Sequence, residues 1–202
     1  NGIVVASETC AFDVIGAEYI RDVKPGEVIR IDLEGITSER YATTCDQSMC
    51  SMEYVYFARP DSDVEGINVH QARKNCGRIL AQEAPIEADI VVGVPDSGLS
   101  AAIGYAEEAN IPFEIGMVKN KYIGRTFIQP SQALREQGVK MKLSAVRSIV
   151  KDKRVVLIDD SIVRGTTSRR MVDMLREAGA KEVHVRIASP EIKFPCFYGV
   201  DF

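Results

Sequence analysis

The feature that most constrains this chain is a stretch at residues 155–167 that reads VVLIDDSIVRGTT. Its leading apolar residues, mostly β-branched, are typical of a strand that is buried on both faces. Asp159 and Asp160 follow directly, at the strand end where open α/β sheets place their ligands. The apolar spacing further along predicts a helix over 168–178. The pattern therefore indicates an α/β fold with a polar site at the end of this strand.

The polar groups of this stretch are suited to a phosphorylated sugar. Carboxylates can accept hydrogen bonds from neighbouring ribose hydroxyls or support a divalent cation. Gly165 allows close backbone approach, and the hydroxyls of Thr166, Thr167 and Ser168 can cap the helix. The amides of the first helical turn carry a partial positive charge that favours a phosphate. We expect a ribose-phosphate site, although aspartyl-phosphate receivers and metal-dependent phosphatases also carry strand-end acids.

Two other phosphate-binding patterns are excluded. The stretch lacks the Gly-Lys-Ser/Thr ending of a P-loop, and it has a single glycine where a dinucleotide fingerprint has three. Its ordered residues instead resemble the phosphoribosyl pyrophosphate (PRPP) signature of type I phosphoribosyltransferases. The resemblance implies that Asp159 and Asp160 face the ribose hydroxyls and a Mg²⁺ ion. It also implies a 5′-phosphate loop that comprises Ser161, Arg164, Gly165, Thr166 and Thr167.

A second strand, turn and helix pattern occurs at residues 90–102, which read IVVGVPDSGLSAA. Such a recurrence is expected of repeated βα units. By itself the turn is more often a plain helix-capping loop than a site. Beside the signature, it resembles the pyrophosphate loop of the same family, in which Ser97 would contact the Mg²⁺ ion or the pyrophosphate.

Residues 117–147 form a basic segment, with seven basic residues against one acidic residue in a chain of net charge −4. The overall acidity argues against general nucleic-acid binding. A charge run is usually a solvated surface, but a long and poorly periodic segment inside a compact domain is often a lid. We favour a lid, because PRPP is highly anionic and because closure keeps water from the reactive ribose carbon.

Over nearly its whole length the chain resembles one branch of this family, the glutamine PRPP amidotransferases. The resemblance is carried by five strings, SMEYVYFARPDS (51–62), GVPDSGLSAAIGYA (93–106), KNKYIGRTFIQPSQALREQGVKMKLSAVR (119–147), VVLIDDSIVRGTTSRRMV (155–172) and FPCFYGVD (194–201). It implies transfer of ammonia, released from glutamine, to C1 of PRPP, which gives phosphoribosylamine and pyrophosphate in the first step of purine synthesis. It also implies a flexible loop that closes on PRPP and includes the catalytic Lys119, Arg125 and Lys142 together with Tyr122.

The resemblance further implies two domains and a fold of the parallel-sheet phosphoribosyltransferase type. Residues 1–48 would be the β-rich tail of a glutaminase domain, and residues 49–202 the phosphoribosyltransferase domain without its carboxyl end. We therefore expect part of a longer protein that can use free ammonia at most, with Cys10 as a buried structural residue rather than the glutaminase nucleophile.

Five cysteines without a secretory signal indicate a reducing, cytoplasmic setting. Their spacing alone does not indicate a metal site. The resemblance implies that Cys50 and Cys196 supply two of the four thiolates that hold a [4Fe–4S] cluster, the others lying beyond Phe202. It also implies a homotetramer that purine nucleotides inhibit. No apolar run approaches the roughly 20 residues of a membrane span.

Two rival functions remain. One is a regulator that binds PRPP without transferring it, and the other is a phosphoribosyltransferase that salvages nucleobases. The regulator would usually carry a DNA-binding module, and no helix-turn-helix pattern is evident. The glutaminase-like tail and the paired cysteines argue against both rivals.

Overall fold

The computed structural model describes residues 2–42, 44–120, 143–163 and 165–198. The helices of this part are α1 (Cys10–Ile15), α2 (Val69–Glu83), α3 (Leu99–Ala109), α4 (Arg147–Val150) and α5 (Thr166–Glu177), with a π-helical turn at Glu53–Phe57. The strands are β1 (Glu27–Asp32), β2 (Gly35–Arg40), β3 (Asp63–Val64), β4 (Ile67–Asn68), β5 (Ile90–Gly93), β6 (Met117–Lys119), β7 (Leu143–Ala145), β8 (Arg154–Asp159) and β9 (Glu182–Ile187).

The central sheet is parallel and has the strand order β5-β8-β9. A parallel bridge between Val91 and Phe113 extends it beyond β5. β8 lies in the middle, and its residues 155–158 are fully buried, which confirms the predicted strand. A strand with neighbours on both sides and helices on both faces has no solvent-facing row, so its sequence is continuously apolar.

Successive residues of β8 serve two separate cores, because strand side chains alternate between faces. Val155 and Leu157 pack against Leu175 and its neighbours on α5. Val156 and Ile158 pack on the opposite face against α3, where Tyr105 is fully buried. The predicted α/β class with a parallel sheet is therefore confirmed, and the sheet is covered by helices on both faces.

The amino-terminal part consists of α1 and the antiparallel β1–β2 hairpin. Cys10 is buried there, as predicted. The carboxylate of Glu8 accepts hydrogen bonds from the amide of Arg59 at 2.7 Å and the hydroxyl of Ser62 at 2.8 Å, which tie this part to the turn before β3. Its assignment to a glutaminase domain stays a prediction. No helix among the described residues is long and apolar enough to cross a membrane.

Helices α2 and α3 pack backbone to backbone at two glycines. A Cβ atom added to Gly77 would lie 1.9 Å from the carbonyl oxygen of Ala101, and one added to Gly104 would lie 1.9 Å from the carbonyl oxygen of Lys74. Both distances are far below van der Waals contact. The close crossing brings α2 near the carboxyl ends of the central strands, where the candidate site lies.

We expect Gly104→Ala to destabilise the protein by about 2–3 kcal/mol, although alanine is normally the better helix former. The added methyl group meets backbone atoms of α2, so the two helices must move apart. Urea unfolding followed by circular dichroism measures the effect. Gly2→Ala serves as the control, because nothing lies within 4 Å of its added methyl group. Equal stability of the two variants would contradict the close crossing.

Candidate phosphoribosyl site

The acidic pair lies at the carboxyl end of β8, inside the protein. Asp159 and Asp160 are 8% and 7% exposed. A carboxylate oxygen of Asp159 accepts the amide of Asp160 at 3.0 Å. The amides of Ala188 and Ser189 donate to the carbonyls of the pair, both at 2.9 Å, so the chain after β9 continues the parallel ladder past the strand. These hydrogen bonds fix the backbone of the pair.

The turn after β5 lies directly against the acidic pair. The amide of Val94 donates to the carbonyl of Ile158 at 2.9 Å, and a Cβ atom added at Gly98 would lie 2.6 Å from that same carbonyl oxygen. Only glycine permits this approach. The turn thereby brings the hydroxyl of Ser97 into a hydrogen bond with the carboxylate of Asp160.

Asp160 is the centre of the hydrogen-bonded group. Its Oδ2 accepts the hydroxyl of Ser97, and its Oδ1 accepts the hydroxyl of Ser161 at 2.5 Å. The structure thus brings together three of the predicted site residues from two separate βα turns. The role of each of them stays a prediction.

Lys119 reaches the same turn from β6. Its ammonium group lies 2.7 Å from the carboxylate of Asp96, the residue before Ser97. Both side chains are largely exposed, so the ion pair contributes little to stability. Lys119 is the last residue of β6 and pairs with Leu143 of β7, so its backbone lies in a strand, and its part in a loop that closes on PRPP stays a prediction. Antiparallel pairing of these short strands fixes its backbone.

The helix after the signature begins earlier than the sequence predicts. α5 starts at Thr166, and Gly165 occupies its N-cap position in a left-handed conformation, with φ of 70°. Thr166, Thr167 and Ser168 therefore lie inside the first turn and do not cap it, and no side chain accepts a hydrogen bond at this cap. Backbone amides without a side-chain cap are the groups that a helix N-terminus offers to a phosphate.

Several predicted residues lie outside the described part of the chain, namely Tyr122, Arg125, Lys142 and Arg164. Cys50 is exposed and Cys196 is partly buried. Among the described residues, no group of three or more His, Cys, Asp or Glu side chains could hold a metal ion. The cluster-ligand role of the two cysteines stays a prediction.

The carboxyl group of Asp159 has a raised pKa. Burial raises the pKa of its carboxyl to about 6, and the neighbouring charge of Asp160 adds to the rise, while the amide of Asp160 opposes it. A buried acidic pair of this kind attracts a cation. Mg²⁺ usually binds through one or two carboxylates together with substrate phosphates, so Asp159, Asp160 and the Ser97 hydroxyl fit the predicted ion.

The sequence did not indicate two residues that belong to this region. Asp96 is an exposed turn residue, and its partner becomes apparent only once β6 is placed. Arg73 is 5% exposed on α2. It occupies the buried stripe of that helix at four-residue spacing with Val69 and Gly77. A charged residue in such a stripe is the signal that could have revealed it.

The phosphoribosyl transferase domain model matches residues 67–189, more than half of the chain. Together with the parallel sheet and the strand-end acids, this match defines the class of protein, and the chain belongs to the phosphoribosyltransferase family. Within it, the amidophosphoribosyltransferase of Bacillus subtilis (strain 168) is 69% identical over 201 residues, which are 100% of this chain and 42% of that protein. The amidophosphoribosyltransferase of Mycobacterium bovis is 55% identical over 202 residues, 100% of this chain and 38% of that protein.

Two solved structures are similar to almost the entire chain. One is the glutamine PRPP amidotransferase from B. subtilis complexed with ADP and GMP, with a TM-score of 0.88 and 68% identity over 96% of this chain and 43% of the other. The second is described as the allosteric regulatory enzyme of purine biosynthesis. It has the same TM-score and identity, and the match covers 96% of this chain and 42% of the other. These findings confirm the resemblance to the amidotransferases. This chain spans about two fifths of the length of the relatives that it matches.

Proposed function

We propose that this chain carries the phosphoribosyltransferase centre of an amidophosphoribosyltransferase, in which ammonia displaces pyrophosphate from C1 of PRPP. The observation that carries the proposal is the hydrogen bond between Ser97 and Asp160. It joins the turn expected at the pyrophosphate to the strand end expected at the ribose, as one substrate with both groups requires. The 69% identity to the B. subtilis amidophosphoribosyltransferase over the whole chain supports ammonia as the acceptor of the phosphoribosyl group.

The proposed binding roles combine the arrangement of the described residues with the resemblance to the amidotransferases. Asp159 and Asp160 accept hydrogen bonds from the ribose hydroxyls, and Ser97 contacts the pyrophosphate. Ser161, together with the first turn of α5, holds the 5′-phosphate through hydroxyls and backbone amides. Lys119 supplies positive charge at the pyrophosphate and exchanges its partner Asp96 for the substrate. Arg125 and Lys142 are proposed to add further positive charge at the pyrophosphate, and Tyr122 is proposed as an additional PRPP contact.

The proposed reaction is a substitution at C1. The bond between C1 and the pyrophosphate oxygen breaks, and the electron pair leaves with pyrophosphate. The nitrogen lone pair of ammonia forms the new C1–N bond, and the resulting ammonium group loses a proton to solvent. The acidic pair would stabilise positive charge that develops on the ribose. No side-chain base is required, since ammonia is already a nucleophile, and catalysis rests mainly on positioning.

Mg²⁺ is the proposed cofactor. The carboxylates of Asp159 and Asp160 and the hydroxyl of Ser97 would hold it, and it would supply charge neutralisation on the pyrophosphate leaving group.

The remaining proposals come from the amidotransferase relatives. The B. subtilis structure is described with ADP and GMP, which supports inhibition by purine nucleotides. Cytoplasmic location and a homotetrameric assembly are also proposed.

We expect the 202-residue chain to stay colourless after anaerobic reconstitution with iron and sulfide, because Cys50 and Cys196 supply two thiolates and a [4Fe–4S] cluster normally requires four. The measurement is visible absorbance together with bound iron. A broad visible band with stoichiometric iron would show that the chain holds a cluster unaided.

The proposed function is tested by pyrophosphate release from PRPP and Mg²⁺ at alkaline pH. Release that depends on added ammonium is the expected result. Release only with a nucleobase would instead identify a salvage enzyme. Tight PRPP binding without pyrophosphate release in the presence of any acceptor would identify a regulator.

A further inference from the structure

Three charged residues are buried as a whole, backbone and side chain together, in the described part of the chain, and they are Arg73, Asp159 and Asp160. Arg73 is thus the one cation among them, and it lies on α2 rather than in either loop of the proposed site. A buried charge is costly unless an opposite charge or well-placed hydrogen bonds compensate it. The surroundings of Arg73 show which groups compensate its charge.

The hydrogen bonds of Arg73 are made to neutral groups. Its Nε donates to the carbonyl of Tyr54 at 2.5 Å, and its Nη2 donates to the carbonyl of Ala58 at 2.8 Å and, at 3.5 Å, to that of Glu53. These contacts satisfy N–H groups and hold the π-helical turn against α2. Carbonyl oxygens carry no net charge, so the positive charge itself needs another partner.

Asp160 is the acidic residue that lines a cavity together with Arg73. Arg73, Ser97 and Asp160 line the same small cavity of about 30 Å³ between α2, α3 and the end of β8. Burial lowers the pKa of Arg73, and the negative charges of Asp160 and Glu8 oppose this effect. Charges that face one another inside a protein are screened much less than surface charges.

Glu8 is the other acidic group that faces Arg73, and it is already engaged. One of its carboxylate oxygens accepts the amide of Arg59 and the hydroxyl of Ser62. Among the described residues, Asp160 in contrast accepts two serine hydroxyls on its carboxylate and has the like charge of Asp159 beside it. The cation is therefore of most consequence to Asp160.

We propose that Arg73 is a positioning residue of the phosphoribosyl site, whose buried charge balances the Asp160 carboxylate and keeps it in place against Ser97 and Ser161. The inference rests on the proposed function for its consequence, since Asp160 is the proposed ribose contact. Arg73 itself does not touch the substrate. It acts through Asp160, with which it shares the cavity.

The first test compares Arg73→Lys with Arg73→Met in PRPP binding by the full 202-residue chain with Mg²⁺, measured by isothermal titration calorimetry. Both variants lose carbonyl contacts, but lysine keeps the charge. We expect Arg73→Met to weaken PRPP binding about tenfold to hundredfold, and Arg73→Lys to restore it to within about threefold of the parent. Equal weakening in both variants, or none in either, would overturn the inference in favour of a purely structural role.

The second test needs no PRPP, so its failure can be told apart from failure of the proposed function. A double-mutant cycle combines Arg73→Met with Asp160→Asn in urea unfolding. We expect the fall in urea midpoint caused by Arg73→Met to be at least halved when Asp160 is already Asn. Equal shifts in both backgrounds would overturn the inference. A parallel cycle with Glu8→Gln would also overturn it if the effect of Arg73→Met depended on Glu8 and not on Asp160. If Arg73→Met does not fold, Arg73→Gln takes its place in both tests.

Discussion

Asp160→Asn is expected to lower ammonia-dependent pyrophosphate release by about 100-fold or more, because hydrogen bonds to a charged group contribute about 1.5–3 kcal/mol each and the proposed role of Asp160 includes more than one such contact. The variant removes the negative charge that is proposed to face the ribose hydroxyls and Mg²⁺. The amide is isosteric with the carboxylate and can still accept a hydroxyl hydrogen bond. The loss should therefore appear in the rate and in PRPP binding, with the fold retained.

Initial rates over a range of PRPP concentrations, at fixed Mg²⁺ and ammonium, give kcat and KM for this variant. Asp173→Asn is the matched control, since Asp173 is exposed on α5 and the substitution removes one negative charge in the same way. The control is expected to stay within about twofold of the parent, as is usual for surface changes. A fully active Asp160→Asn protein would show that the negative charge of Asp160 has no part in the mechanism.

Much of this site could be predicted from the sequence because its information is local. A buried run at 155–158 followed by two acids specifies a central parallel strand with polar groups at its carboxyl end. A second run of the same kind at 90–94 specifies its neighbour, and adjacent parallel strands bring their turns together. The contact between Ser97 and Asp160 follows from that arrangement.

The features that the sequence did not indicate depend on distant residues or on a choice among similar ones. Three successive hydroxyl residues after Gly165 give no indication of which one precedes the helix, and the glycine takes the cap through a left-handed conformation. The three residues of β6 form a strand only because Leu143 and its neighbours pair with them from another part of the chain. Arg73 requires carbonyls of the π-helical turn and the charge of Asp160, neither of which is close in sequence.

The acidic pair shows how binding and stability oppose one another in this fold. Two buried carboxylates of like charge favour a cation and a polyhydroxylated sugar, but they destabilise the protein when neither is bound. Arg73 offsets part of this cost at Asp160. Asp159 has no such cation among its described contacts, and its raised pKa reports the cost that remains.

Asp159→Asn is accordingly expected to stabilise the protein at neutral pH while removing activity. The folded carboxyl has a pKa of about 6 against an ordinary value of 3.8, so the folded state binds the proton more tightly than the unfolded chain. The unfolding free energy of the parent therefore falls as pH rises from about 4 to about 6 and is level above that range. Asparagine does not ionise, and its side-chain oxygen can still accept the amide of Asp160.

The advantage of Asp159→Asn should be close to zero near pH 3.5 and reach at most about 3 kcal/mol above pH 7, since one pKa unit corresponds to about 1.4 kcal/mol. Urea unfolding of both proteins at several pH values measures this difference, and Asp173→Asn controls for the change in net charge. PRPP binding by the same samples should be weakened at every pH. A stability difference that does not change with pH would show that the ionised Asp159 carboxylate is not destabilised in the folded state. The expected rise would show that the fold retains this carboxylate at the expense of stability, as is common for residues that serve a function.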